Sequence, residues 1–180
     1  MMKRLRTGMI PSAALMATQI GFAGDQTPGP SETKIEQQVQ RALVMLPFYN
    51  VFDSFSFRVD GDTVTLMGKA AWPTLKRDAE NAVKKIEGVE RVKSQIEVLP
   101  LSPNDDRLRL SLSRAIYGHP VLQTLAIRAV PPIHILVENG NVTLEGAVAN
   151  SMEKTVAGMQ ANSVFGVFSV TNNLLVDDAS

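Results

Sequence analysis

The chain has 180 residues, with 18 basic against 18 acidic side chains, 44% hydrophobic residues and no cysteine. Balanced charge lacks the basic footprint that nonspecific nucleic-acid binding needs. The missing thiols exclude disulfides, cysteine nucleophiles and thiolate metal sites, so stability must come from packed apolar cores.

The first residues, Met1-Met2-Lys3-Arg4-Leu5-Arg6, carry three positive charges, and a weakly apolar stretch from Met9 to Phe22 runs into small residues ending at Ala23. That order predicts a secretory signal peptide over residues 1–23, cleaved after Ala23. The stretch is too short for a membrane span and is interrupted by Pro11, Ser12 and Gln19. An amphipathic or disordered N-terminus is the other reading. No cysteine is present to carry a lipoprotein anchor. Loss of Lys3, Arg4 and Arg6 leaves 15 basic against 18 acidic side chains. Residues 24–32, rich in Pro, Gly, Thr and Ser, read as a flexible tether.

Ile35, Val39, Ala42, Leu43 and Leu46 then follow helical spacing. Thr33-Lys34-Ile35-Glu36 fits a capping box at the start of this helix, and Pro47 ends it. Phe55, Phe57 and Val59 alternate with polar residues, and Asp60-Gly61 turns the chain into Val64-Thr65-Leu66. A second helix is predicted over Pro73 to Glu87 and a third strand over Val92 to Val98.

The series is then written again. Ser102-Pro103, with Asp105 beyond, starts a helix carrying Leu108, Leu112, Ala115 and Ile116, which ends at Pro120. Ile133, Ile135 and Val137 lead through Asn139-Gly140 into Val142-Thr143-Leu144. A helix over about Ser151 to Val164, opened by Asn150 and Glu153, precedes a last strand, Val170 to Val176. Matching residues lie 73 apart in the first helix and 78 apart from the hairpin onward. The second copy therefore holds five extra residues around Val121 to Pro132. The expected fold is α+β: two tandem αββαβ units, residues 33–99 and 103–177. Each is a three-stranded mixed sheet packed against two helices.

A hairpin reading D-G-x-x-V-T-L-x-G or N-G-x-V-T-L-x-G, followed by a helix ending in G-V-x-x-V, resembles the BON domain, and both copies carry it. The resemblance covers about residues 33 to 177. It implies a protein of the periplasm or of the periphery of the outer membrane, and a phospholipid-binding role. The first copy departs with Trp72-Pro73 in place of a small polar cap, and the second through its insert.

Candidate chemistry is sparse. The histidines, His119 and His134, are read as surface residues, because a zinc site wants three or four clustered ligands. Asp60 and Asp62 belong to a turn, and Asp105-Asp106 reads as helix-start charge. No catalytic residue, metal site or cofactor is expected. The duplication offers an internal comparison instead. On the second helix of the first copy Thr74, Asp78, Asn81 and Lys85 form an outward face; their counterparts are Met152, Val156, Met159 and Ser163. Glu87 and Glu90 likewise correspond to Phe165 and Phe168. An apolar surface of Met152, Val156, Met159, Phe165 and Phe168 calls for a partner, which is either the first repeat or another subunit, or a lipid surface or envelope protein. Trp72, at a helix entrance, is either a membrane-interface anchor or a hydrophobic staple. These residues imply a noncatalytic exported protein that docks to phospholipid surfaces or envelope components, with basic side chains such as Lys76, Lys84 and Lys85 meeting anionic headgroups. The alternative is a protein–protein interaction or oligomerisation module.

Overall fold

The computed structural model describes residues 30–128 and 130–177; the signal-peptide reading and most of the tether fall outside them. Two αββαβ units follow one another. The first comprises helix α1 (Pro30–Val44), strands β1 (Ser54–Asp60) and β2 (Thr63–Ala70), helix α2 (Pro73–Val83) and strand β3 (Arg91–Val98). The second comprises α3 (Pro103–Tyr117), a 3-10 turn at Gln123–Ile127, β4 (Ile133–Glu138), β5 (Asn141–Val148), α4 (Ser151–Asn162) and two short strands, β6 (Ser169–Asn172) and β7 (Leu175–Val176). In each unit the hairpin is antiparallel and the strand returning after the helix pairs in parallel with the hairpin's second strand.

The helical spacing predicts the buried faces well. Ile35, Val39, Leu43 and Leu46 join Leu75, Ala79 and Val83 over Val64, Leu66 and Ile96 in the first core. Leu112, Ile116, Ala157 and Ala161 cover Ile133, Ile135, Leu144 and Leu174 in the second. The five-residue insert contributes to that core through Leu122 and Leu125, both buried.

Several boundaries move. Helix α1 starts at Pro30, so residues 30–32 are helix rather than tether, and Thr33 is no cap. Proline suits a first turn because its missing N–H has no helical acceptor there. Helix α2 stops at Val83, and the chain turns through Gly88 at a φ of 91°. The expected last strand is broken between β6 and β7. Asn172 there donates its side-chain N–H to the Lys154 carbonyl (2.8 Å) and accepts from Leu174 N–H (3.3 Å). The predicted cap of α4 is present: Asn150 accepts from Glu153 N–H, and the Glu153 carboxylate accepts from Ala149 N–H, both at 2.9 Å.

The glycine of the V-T-L-x-G motif has a steric cause. Gly68 and Gly146 take φ near 115°, and a Cβ on Gly146 would stand 1.9 Å from the Pro132 carbonyl oxygen. Neither the conformation nor the space admits a side chain.

Candidate functional site

The two repeats dock through the outer edge and face of β4. A loop of the first repeat is shaped by Asn50, which accepts from Phe52 N–H (2.8 Å), and by the buried Asp53, which accepts from Ala71 N–H (2.7 Å). Burial pushes the Asp53 carboxyl up, against the pull of Ala71 and Asn50 N–H and the Arg109 charge. From this loop the Val51 carbonyl accepts the Ile135 N–H at 2.6 Å, and Phe52 packs against the second core. Ser54 donates to Glu145 (2.6 Å) and Lys69 to Glu138 (2.7 Å).

His134 lies inside this junction, which corrects its reading as a surface residue. Its ring stands 5.7 Å from that of Tyr49, and burial lowers its pKa. Leu136, on the face of β4 turned away from its own helices, is buried as well and lies beside Lys69 and Leu99 of the first repeat. Its counterpart in β1 is the exposed Arg58, and that of His134 is the exposed Ser56. The comparison that picked out α4 would have picked out this interface if extended to the hairpins.

Asp105 is also more than helix-start charge. It is 2% exposed and accepts the Asn139 and Gly140 N–H groups of the hairpin turn at 2.9 and 3.0 Å. Asp106 pairs with Arg109. The start of α3 is thereby tied to the β4–β5 turn, and the loop after α4 closes on the same corner through Phe168 N–H to the Gly140 carbonyl (2.8 Å).

That corner places the phenylalanines. Phe165 is 99% exposed and Phe168 86%, on either side of Gly166, whose φ is 92°. They line an open groove of about 680 Å³ with Leu108, Ser111 and Arg107 of α3. Arg107, an exposed cation braced by Asn104 and the Pro103 carbonyl, was not singled out in sequence, since its nearness to the rings is purely tertiary. Met152 and Met159 stand on the outer face of α4, each 64% exposed. Val156 departs from the expected stripe: it is half-buried and packs against the second core. The exposed residues of the set therefore do not form the inter-repeat contact, which is built from the Tyr49–Asp53 loop.

Trp72 is separate, on the first repeat. It occupies the N-cap position of α2 in an extended conformation and is half exposed. It shares a groove of about 220 Å³ with Pro47, Phe48, Leu75 and Asp78. Phe48 is 86% exposed at a positive φ of 70°, an uncommon conformation for a non-glycine residue.

No group of metal-ligating side chains occurs among the described residues, and no described helix is long and apolar enough to cross a membrane.

A model of the family described as BON domain matches residues 31–100 and again 104–178. No curated protein matches the chain. Among solved structures the chain is similar to CdsD, a structural protein of the type III secretion system of Chlamydia trachomatis. The match has 14% identity over 81% of this chain and 94% of that chain, with a TM-score of 0.29. The C-terminal domain of CdsD matches at 12% identity over 83% of this chain and 98% of that chain, with a TM-score of 0.26.

Proposed function

The chain belongs to the BON domain family through both of its repeats, and on that premise we propose that it is a noncatalytic, exported binding protein. It works in the periplasm and docks reversibly to phospholipid surfaces of the cell envelope. The observation that carries this reading is the corner where Phe165 and Phe168 stand exposed in one groove with Arg107. Two rings entering an interfacial lipid layer gain about 1.5–3 kcal/mol each if fully buried. One cation beside an anionic headgroup adds about 1 kcal/mol. The gross gain of about 4–7 kcal/mol corresponds to millimolar-to-micromolar docking, before the cost of association. Met152 and Met159 widen the apolar surface. Trp72 with Phe48 is a second, smaller anchor on the first repeat. Arg107 supplies on the second repeat the positive charge that Lys76, Lys84 and Lys85 carry only on the first.

Flotation of the purified protein with vesicles of phosphatidylethanolamine and phosphatidylglycerol tests the proposal. The wild type is expected to float without a protein partner. Phe165→Ser/Phe168→Ser is expected to stay at the bottom while melting as the wild type does, and Arg107→Gln to need a larger anionic fraction. Equal flotation of the double variant, or no flotation of the wild type, would refute lipid docking at this corner.

A further inference from the structure

The two hairpins have the same register but opposite fates at their outer edges. A two-residue turn makes Asp60 and Thr63 the closing pair of β1 and β2, so the N–H and C=O groups of Phe55, Phe57 and Val59 face away from β2. In β4 the equivalent residues are Ile133, Ile135 and Val137, and each has an outward group taken. The Tyr117 hydroxyl donates to the Ile133 carbonyl (2.6 Å) and accepts from Ile133 N–H (3.1 Å). The Val51 carbonyl takes the Ile135 N–H, and Arg109 donates to the Val137 carbonyl at 2.8 Å.

In β1 the Tyr49 ring stacks on Phe55, with centroids 5.4 Å apart. Among the described residues, the outward groups of Phe57 and Val59 have no hydrogen-bond partner. The sealing residues have been lost between the copies. Tyr117 corresponds to Val44, which has no polar atom on its side chain. Arg109 corresponds to Glu36, whose carboxylate cannot donate to a carbonyl. Along this open stretch runs a groove of about 420 Å³ between α1 and β1, lined by Gln40, Leu43, Val44, Tyr49, Phe55 and Phe57. An open strand edge is a template for pairing, which proteins ordinarily cover.

We propose that this edge receives an extended segment of another polypeptide. The segment pairs its main chain with Phe57 and Val59 and lodges an aromatic or aliphatic side chain in the α1–β1 groove. The second repeat displays the occupied form of the same device. There the occupant is the Tyr49–Asp53 loop, with one main-chain bond to β4 and Phe52 packed into the core. A second copy of this chain has no free loop with which to repeat that docking, because its own Tyr49–Asp53 loop is engaged on its own β4. Of the two side-chain bonds that fix the loop there, the one from Ser54 to Glu145 has no equivalent at β1, where Met67 stands in place of Glu145, while the one from Lys69 to Glu138 would meet Asp60. The site is independent of the lipid-docking corner and stands or falls separately.

The probe is a fluorescein-labelled peptide copying residues 48–54, titrated with the full chain and read by anisotropy. Saturable binding is expected, with perturbation of the Phe57 and Val59 amides in nitrogen-15 correlation spectra. Two versions of the peptide, N-methylated on opposite sets of alternate residues, keep the same side chains but can pair along opposite edges only. They should differ at least tenfold in affinity, and this comparison leaves the protein's fold untouched. On the protein side, Val44→Glu should weaken binding at least tenfold without changing flotation. Equal affinity of the two methylated peptides, no binding of the parent peptide, or indifference to Val44→Glu would overturn the proposal. So would a self-association, seen by sedimentation, that Phe57→Pro dissolves and the peptide competes with, since that result would assign the edge to a second copy.

Discussion

Replacing Tyr117 by Phe deletes one oxygen atom and tests how the second repeat seals its sheet. The hydroxyl holds both the N–H and the C=O of Ile133, a residue with no exposed surface. Burial pushes the Tyr117 phenol well above its usual pKa range, so at any physiological pH the group is a neutral hydroxyl able to donate and accept together. The phenyl ring remains in Tyr117→Phe, so packing is conserved and the loss is polar. A buried main-chain group left unpaired costs about 1–3 kcal/mol. Two groups are affected at one point, and a water reaching the edge would restore part of the loss, so the net cost is about 2 kcal/mol. In a unit of this size about 1 kcal/mol moves the melting temperature by roughly 4–8 °C, which gives a fall of roughly 8–16 °C. Circular dichroism melting measures the shift, and hydrogen exchange should show the Ile133 amide losing protection before its neighbours in β4. A fall under about 2 °C with Ile133 still protected would refute the view that this hydroxyl closes the edge.

Other residues give sharper or milder outcomes. Gly146→Ala combines an unfavourable φ with a clash against the Pro132 carbonyl and should cost more than about 3 kcal/mol, enough to be read as a lost folding transition in urea. Val156→Asp should lower the melting temperature because its side chain packs against the core. Met159→Asp, on the exposed face of the same helix, should stay within about 0.5 kcal/mol of wild type. Burial holds the His134 pKa below 6.5, so the unfolded chain gains a proton as pH falls through 6.5 while the folded chain does not. Stability is therefore full above that pH and declines below it, with a slope of at most about 1.4 kcal/mol per pH unit for one proton. Urea midpoints at about pH 7.5 and 5.5 should differ, and His134→Phe should remove the difference.

Periodicity, turn dipeptides and self-similarity were enough to determine the four helices, both hairpins and the duplication. Each of these depends on neighbours a few residues away, or on one copy matching another. Ile35 and Val39 need only their helical spacing to declare a buried face, and Asn139-Gly140 needs only its tolerance of positive φ to declare a turn. The outward set on α4 was partly legible for the same reason: exchange of Thr74 and Asn81 for Met152 and Met159 marks a face whose surroundings differ between copies. Val156 was misplaced because a helix's buried arc depends on what packs beside it, and here the arc centred on Ala157, Gly158 and Ala161 extends to Val156. What only the tertiary structure decided is everything that joins distant segments. The Tyr49–Asp53 loop fills one edge strand and leaves the matching edge open, His134 is carried from surface to interface, and Arg107 is set beside Phe165 and Phe168. No local pattern encodes these, because a side chain's propensity says how it wants to be placed, whereas its neighbours across the fold are set by the packing of two whole repeats.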